Sequence, residues 1–239
     1  MQPKFGPIER QSMAQRVYMV VRDSLIDGRL SPGEKISLRT LARRLGTSAM
    51  PVREAINRLS AEQALQMLPN RQVIVPFMSR RKFLELCEIR RMLEGMAGEA
   101  AARNLTAAEI AQLEEVHALA MDARDDTDAS LLLARNKDFH FRLYRASGSE
   151  VLLPMIEGLW MQIGPFMRLS FSIKKTRWNG AQHVALLDAL RRQDVPAVRD
   201  AVHRDIGDMA ENILEIDAFD EHPSELGLCG GKAILPGSS

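Results

Sequence analysis

Apolar residues recur with helical spacing from the start of the chain. Val17, Val20, Val21 and Leu25 are predicted to fall on one side of a helix over residues 8–27. The segment DGRLSPGEK ends this helix, because Gly and Pro favour turns. Ser37 can then cap a short second helix, LRTLARRLG, which ends at a glycine.

A third helix and a hairpin complete the amino-terminal pattern. Ser48 or the threonine before it can cap the third helix, whose inward positions Val52, Ile56 and Leu59 have the spacing i, i+4 and i+7. Two short β-prone runs, ALQML and QVIVPF, follow around a polar turn and predict a hairpin. Three short helices and a hairpin in this order describe a winged helix-turn-helix.

The rest of the chain is predicted to be helical. Ser79 can cap a long helix that extends to about Arg103. The later predicted helices cover residues 106–123, 128–146, 149–173, 178–192 and 195–217. The predicted fold class is therefore mostly α, with an N-terminal winged helix-turn-helix followed by an all-α helical bundle. The predicted domain boundaries are residues 1–78, 79–220 and, for a flexible Gly/Pro/Ser-rich tail, 221–239.

Composition narrows the class of protein. Apolar residues make up 46% of the chain, which is enough for real cores, and the charged fraction is ordinary for a globular protein. No stretch approaches 18 uncharged apolar residues, and the first residues lack a signal-peptide core, so we expect a cytoplasmic protein without a membrane partner. Cys87 and Cys229 lie in such different contexts that a disulfide framework is not expected.

Charge is distributed unevenly and indicates an anionic partner for the amino-terminal part. Residues 1–78 carry twelve Lys/Arg and six Asp/Glu, a net +6, and the remainder carries 20 and 25, a net −5. Arg53 and Arg58 point away from the core side of the third helix, whose first turns can meet base edges in a major groove. Arg39, Arg43 and Arg44 can bind phosphates, and Arg71 at the wing tip can reach a backbone or a minor groove. The alternative is a solvated basic face.

The segment LIDGRLSPGEKISLRTLARRLGTSAMPVREAINRLSAEQAL resembles the DNA-binding domain of GntR-type bacterial transcription regulators. The resemblance implies DNA contacts from Arg39, Ser48 and Arg53. Two positions differ from the family pattern, which commonly has arginine in place of Ala49 and glycine in place of Gln72. Without that arginine, one potential bidentate guanine contact is lost, so we expect a different operator.

Three later segments, EIRRMLEGMAGEAAARN, NKDFHFRLYRASG and QHVALLDALRRQDVPAVRDAV, resemble the all-helical effector domain of the FCD (FadR-type) subgroup. The resemblance implies a helical bundle that binds a small organic acid, often through a metal held by an Asp-x-x-x-His pair and two further histidines. It also implies a homodimer.

Helical geometry identifies four inward polar side chains on three predicted helices. Asn136 and His140 lie one turn apart on a core-facing side, and His183 lies within an apolar stripe. Asp205 lies beside the apolar stripe of the last helix, whereas His203 lies outside it and is expected to face solvent. Two imidazoles and a carboxylate suit Zn²⁺, Ni²⁺, Mn²⁺ or Fe²⁺, with the amide oxygen a poor fourth ligand. The main alternative is a buried polar network without metal. The family pattern has aspartate where this chain has Asn136, and histidine where this chain has Asp205.

Arg90 and Glu94 share the apolar face of the long helix. A buried arginine must be paired, so Arg90 either binds an effector carboxylate with two hydrogen bonds or pairs with Glu94. Five methionines at helical spacings are interpreted as core residues: Met92, Met96, Met155, Met161 and Met167.

The leading functional interpretation is a metabolite-responsive transcription regulator and not an enzyme. A dimer would bind a pseudo-palindromic DNA operator and act as a repressor, with a small carboxylate in the helical domain. The alternative is a metal-dependent, hydrolase-like helical enzyme with a basic appendage, although no nucleophile motif or phosphate loop supports it. A third interpretation, an architectural DNA-binding protein, does not explain the inward polar groups.

Overall fold

The computed structural model describes residues 12–69, 72–125, 129–172, 178–216 and 219 of the 239-residue chain. The amino-terminal elements are α1 (Met13–Ile26), β1 (Lys35–Ile36), α2 (Leu38–Arg44), α3 (Ala49–Ala61), β2 (Gln66–Met67) and β3 (Val73–Ile74). The later elements are α4 (Arg80–Asn104), α5 (Ala107–Asp122), a 3-10 turn (Ala123–Asp125), α6 (Ala129–Arg145), α7 (Leu152–Ser172), α8 (Ala181–Arg191) and α9 (Val195–Ile216). The mostly α fold with a winged helix-turn-helix at its start is confirmed.

The amino-terminal elements form because local signals and packing agree. Side-chain hydroxyls of Ser12 and Ser37 accept hydrogen bonds from backbone N–H groups in the first turns of α1 and α2. Helix α3 buries Val52, Ile56 and Leu59 against α1, as their spacing predicted. Val20 of α1 is exposed, although its spacing predicted it on the apolar side of that helix. The strands form an antiparallel sheet in the order β1-β3-β2, which is the predicted wing with one added strand. The predicted wing-tip contact, Arg71, lies outside the described residues.

The second part is a helical bundle in which α4 packs along α9. Helix α8 also packs against α9, and α5 packs against α6. Ser79 caps α4 as predicted, and a reciprocal capping box of Thr106 and Glu109 begins α5. Trp160 of α7 is fully buried at the centre of the bundle. Among the described residues, no helix combines the length and apolarity needed to cross a membrane. The predicted tail, residues 221–239 with Cys229, lies outside the described part of the chain.

The turn that follows α1 joins the two parts. Asp27 is buried and forms an ion pair with Lys137 of α6. The backbone oxygen of Gly28 accepts a hydrogen bond from Arg168 of α7 at 3.2 Å. A Cβ atom at Gly164 of α7 would lie 2.3 Å from the backbone oxygen of Leu25, so only glycine permits this close approach.

One set of predicted core residues requires correction. Met161 and Met167 are buried, but Met92, Met96 and Met155 are 64%, 55% and 50% exposed. Met92 and Met96 lie on the side of α4 away from the buried Arg90 and Glu94. Met155 lies in the first turn of α7, four residues after the exposed Val151. Helical spacing alone does not distinguish a methionine on a buried face from one on a second, uncovered face.

Candidate metal and effector site

Three potential metal ligands on three different helices converge in the bundle. His140 of α6, His183 of α8 and Asp205 of α9 each offer one ligand atom, and these atoms lie within 4.8 Å of one another. The Nε2 atom of His140 lies 3.2 Å from Nε2 of His183 and 3.1 Å from Oδ2 of Asp205. The predicted convergence of these residues is therefore present in the structure.

A buried hydrogen-bond chain fixes the tautomer of His140. The carboxylate of Glu94 can only accept hydrogen bonds while it is ionised beside Arg90, so the Tyr144 hydroxyl donates its proton to Glu94. The same hydroxyl oxygen lies 3.1 Å from Nδ1 of His140 and must accept a hydrogen bond from it. Burial and the adjacent Glu94 raise the pKa of Tyr144 well above its ordinary value, which keeps this proton in place.

The fixed tautomer directs an electron pair of His140 towards the Asp205 carboxylate. When Nδ1 carries the proton of a neutral imidazole, Nε2 has only a lone pair, and two lone pairs at 3.1 Å repel each other. A second proton on His140 or a cation near both atoms would remove this repulsion. A proton on Nε2 of His140 can form a hydrogen bond to Asp205. It cannot form an equally good hydrogen bond to Nε2 of His183 at the same time.

His183 is held in the neutral form that binds metals. Its ring is fully buried and stacks on Phe139, with ring centroids 3.9 Å apart and planes 12° apart. Burial lowers the pKa of His183 well below its ordinary value, although attraction to the Asp205 carboxylate acts in the opposite direction. The Nδ1 atom of His183 is buried and has no hydrogen-bond partner among the described residues.

Asp205 supplies the negative charge of the cluster. Burial acts to raise the pKa of its carboxyl group, but attraction to a protonated His140, and the hydrogen bond that this ring would then donate, outweigh burial. The pKa of Asp205 is therefore held below its ordinary value, and the group is a carboxylate near neutral pH. Its side chain is 16% exposed, so the cluster reaches solvent on this side.

Arg90 and Glu94 form the buried pair that one of the two sequence interpretations expected. Nε and Nη2 of Arg90 donate to the two oxygens of Glu94 at 2.6 and 3.3 Å. Trp160 also donates to Glu94 at 3.0 Å. Burial opposes the charge on Arg90, but attraction to Glu94 outweighs it and raises the pKa of Arg90.

This pair leaves open the other interpretation of Arg90, because its Nη1 atom has no hydrogen-bond partner among the described residues. Glu94 differs, since it is fully buried with both oxygens occupied and does not line the cavity, which corrects its predicted contact with an effector.

A small cavity adjoins the cluster. Its volume is about 20 Å³, close to the space that one water molecule requires. Its walls are formed by Arg90, Asn136, His140, Met167, Ser170, Phe171, Trp178, Asp205, Met209 and Asn212. The Oδ1 atom of Asn136 is buried without a hydrogen-bond partner among the described residues, as is Nη1 of Arg90. One unpaired donor and one unpaired acceptor thus belong to the lining of the same cavity.

Comparison with known proteins assigns the chain to a family. Residues 85–208, more than half of the chain, match the model of the FCD domain, and residues 13–75 match bacterial regulatory proteins of the gntR family. The chain belongs to the GntR family and carries an FCD domain. It is a ligand-responsive, DNA-binding transcription regulator.

Named relatives and solved structures agree with this assignment. The HTH-type transcriptional regulator McbR of Escherichia coli K12 is 31% identical over 82% of this chain and 90% of its own length. The Nta operon transcriptional regulator of Aminobacter aminovorans is 30% identical over 77% of this chain and 87% of its own. The structure of E. coli McbR/YncC covers 87% of this GntR-family chain and 98% of its own, at 30% identity and a TM-score of 0.77. A GntR regulator from Rhodococcus sp. RHA1 shares the fold, with a TM-score of 0.69 at 23% identity.

The GntR domain exposes the predicted DNA-contacting side chains. Arg39 and Arg43 of α2 and Arg53 of α3 are exposed, and their guanidinium groups form no ion pair with any described residue. Ser48 occupies the N-cap position of α3, but its side chain makes no capping hydrogen bond. Arg58 is different, since it binds Glu62 and Gln15 and lies over the ring of Tyr18 within the same domain.

Several residues near the FCD cluster were not identified from the sequence. The ring of His117 on α5 lies 5.5 Å from that of His183, and burial lowers the pKa of His117. Its spacing of i+4 from the buried Leu113 could have revealed it. Asn212 could have been found in the same way, because it follows Asp205 on α9 by seven residues and so lies on the same helical face. His203 lies outside the cluster, as expected. It is half-buried against Gly95 of α4, however, and does not face solvent fully as the sequence predicted.

Replacing Glu94 should reveal how much the FCD domain depends on its buried pair. We expect Glu94→Gln to lower the free energy of unfolding by about 3 kcal/mol, because Arg90 would remain buried without its counter-charge. Urea unfolding followed by circular dichroism measures this change. Glu85→Gln is the matched control, since Glu85 pairs with Arg81 on the same helix at the same i, i+4 spacing but on the exposed side. Equal midpoints for the two variants would contradict the assigned role of Glu94.

Proposed function

We propose that this regulator is a homodimeric repressor whose operator affinity is controlled by a divalent transition metal and a small carboxylate in the FCD domain. The observation that carries the proposal is the convergence of His140, His183 and Asp205 around one point. Repression as the sign of action is supported by the relatives named RspR repressor and D-xylose utilization operon repressor.

The donor set fits a metal ion. Ligand atoms at about 2.0–2.1 Å from a tetrahedral ion lie about 3.3–3.4 Å apart. The ligand-atom separations of 3.1, 3.2 and 3.9 Å bracket this value. Two neutral imidazoles and one carboxylate would hold Zn²⁺, Ni²⁺, Mn²⁺ or Fe²⁺, and Asn136 is the candidate fourth residue. The Tyr144 hydroxyl orients His140 in the way that outer hydrogen bonds orient metal-binding histidines. When bound, the ion would offer a Lewis-acidic position to an effector.

Arg90 is the residue we assign to the effector carboxylate. Its Nη1 atom is buried and unpaired, and an unpaired buried donor costs free energy until a ligand accepts from it. Glu94 keeps the guanidinium in place with the other two donors, so it positions Arg90 without contacting the ligand. Because the cavity is close to the size of one water molecule, an organic acid must move α6, α7 or α9 outward.

Those movements would reach the DNA-binding domain through the turn after α1. Asn136 and His140 of helix α6 line the cavity. Lys137, which lies between them in the sequence, pairs with Asp27. Helix α7 likewise lines the cavity and holds Gly28 through Arg168. A ligand changes operator affinity only if it prefers one arrangement of these contacts. We therefore propose that the Asp27–Lys137 pair transmits the signal.

DNA binding is assigned to the exposed basic side chains of the GntR domain. Arg53 on α3 would reach base edges in the major groove. Arg39, Arg43 and the hydroxyl of Ser48, which makes no capping hydrogen bond, would bind phosphates. Arg71 retains its predicted role at the wing tip. Two such domains in a dimer would bind the half-sites of a pseudo-palindromic operator.

An exposed apolar face on α4 is the proposed dimer interface. Ile89, Met92 and Met96 have the spacing i, i+3 and i+7 and are 45%, 64% and 55% exposed. Three large apolar side chains on one helical face are more than scattered surface residues, and such a face commonly covers a partner. A second copy of the chain would bury the same face on both subunits.

Metal binding can be tested with Zn²⁺ alone by isothermal titration calorimetry of the purified, metal-stripped protein. We expect one Zn²⁺ per chain, a loss of affinity of at least about 100-fold in His183→Ala, and a loss of about 10–100-fold in Tyr144→Phe because His140 is no longer oriented. His203→Ala is the matched control and should bind like the wild type. Equal binding by His183→Ala and His203→Ala would rule out the assigned site.

Signal transmission can be tested on DNA sites selected by the wild-type protein from a random duplex library. The ratio of operator dissociation constants with Zn²⁺ and with chelator measures the coupling. We expect a ratio of about 5–150 in the wild type and a ratio near one in Lys137→Met, with unchanged Zn²⁺ affinity. Arg142→Met is the control, since Arg142 pairs with Asp138 on the surface of the same helix. A wild-type ratio retained in Lys137→Met would disprove transmission through this pair.

The dimer interface can be tested by adding charge to it. Met92→Glu should convert the dimer into monomers at micromolar concentration, because two carboxylates would be buried at the interface. Sedimentation velocity measures the change. Leu131→Glu, on the exposed side of α6, is the control and should remain dimeric. A dimeric Met92→Glu variant would place the interface elsewhere.

A further inference from the structure

The first turn of α3 presents an apolar surface where a DNA-reading helix usually carries polar groups. Met50 is 74% exposed, the highest fraction among the large apolar side chains of the described residues. Ala49 beside it is also exposed. Neither residue contributes to the core of the domain, which α3 forms with Val52, Ala55, Ile56 and Leu59. Exposure of a flexible, polarizable side chain at this position is unexplained by folding.

Helical geometry places these two residues beside the proposed base-reading arginine. Ala49 and Met50 precede Arg53 by four and three residues, so all three lie on the same face of α3. Asn57 continues this exposed face one turn further on. With a rise of about 1.5 Å per residue, Met50 and Arg53 are separated by about 4.5 Å along the helix, or one to two base-pair steps of about 3.4 Å.

The surrounding charges specify what covers this apolar surface. Arg39, Arg43 and Arg53 are exposed without ion-pair partners among the described residues, and the side chain of Ser48 leaves the N-terminus of α3 uncapped. A cationic rim and free N–H groups suit a polyanion and would hold phosphates on either side of the helix. The apolar group that duplex DNA exposes in its major groove is the C5-methyl of thymine.

We infer that Met50, with Ala49, reads a thymine methyl group within one or two base pairs of the guanine bound by Arg53. This inference rests on the proposed DNA-binding role of α3. It adds a specificity-determining residue that hydrogen-bond reasoning alone does not identify, because a thioether side chain recognises a methyl group by apolar contact. The operator half-site would therefore contain a fixed thymine within one or two base pairs of a guanine.

The test removes the methyl group without altering base pairing. A DNA site is first selected by the full-length wild-type protein from a random duplex library. Each thymine of the selected site is then replaced singly by deoxyuridine, and dissociation constants are measured by fluorescence anisotropy at one fixed salt concentration, because affinity varies steeply with salt. We expect one position per half-site at which the loss of the methyl group weakens wild-type binding by about three- to tenfold.

Variants assign that effect to its residue. Met50→Ala should bind the thymine and deoxyuridine sites equally at that position, whereas Met155→Ala, which changes a half-exposed methionine on α7, should discriminate as the wild type does. Because Met50 is exposed, its replacement should leave the melting temperature unchanged. A repeated selection with Ala49→Arg should replace thymine by guanine at or beside the same position.

The outcomes separate this inference from the proposed function. Selective DNA binding with no deoxyuridine effect at any position, or an effect that persists in Met50→Ala, would overturn the thymine contact and leave the regulator assignment intact. Absence of selective DNA binding by the wild type would overturn the proposed function of α3 and this inference together.

Discussion

The arrangement of the helical domain depends on where one proton is held. Glu94 accepts hydrogen bonds from Arg90, Trp160 and Tyr144, and the Tyr144 hydroxyl must in turn accept from Nδ1 of His140. This sequence of donors leaves the lone pair of His140 Nε2 directed at Asp205. Breaking these buried hydrogen bonds would cost free energy, so the network holds the lone pair of His140 at that point. The affinity for a cation that we propose for this cluster would follow from this constraint.

The same helices that enclose the cluster also hold the DNA-binding domain. Lys137 lies between Asn136 and His140 in the sequence, and its ammonium group pairs with Asp27 at the end of α1. Gly164 allows α7 to approach the backbone of α1 more closely than any other residue would allow. Packed helices shift as units between discrete arrangements, so a change of cavity volume that moved α6 or α7 would also displace the turn that they hold.

Much of this architecture could be predicted from the sequence because helical spacing reports burial directly. The inward positions of Asn136, His140 and His183 followed from apolar stripes on α6 and α8, and Asp205 was separated from His203 by its angle to the stripe of α9. The winged domain followed from its turn residues, its spacing and its resemblance to GntR regulators. In these cases each helix has one apolar and one polar side, so its orientation is determined by the sequence.

Other features could not be predicted, for reasons of packing. Helix α7 is apolar on most sides, so its sequence gives no orientation and did not reveal that Phe171 lines the cavity. Met92 and Met96 form a second apolar face on α4, and spacing alone does not tell which face is covered within one chain. The unpaired Nη1 atom of Arg90 depends on atomic positions, because the sequence does not show how many of its donors the pair with Glu94 occupies.

The most direct test of the cation site is X-ray absorption spectroscopy at the zinc edge of protein loaded with one equivalent of Zn²⁺. The arrangement of His140, His183 and Asp205 predicts a first shell of nitrogen and oxygen atoms at about 2.0–2.1 Å, with outer-shell scattering from two imidazole rings. A sulfur atom at about 2.3 Å, which would indicate a cysteine ligand, or an absence of imidazole scattering would contradict the account.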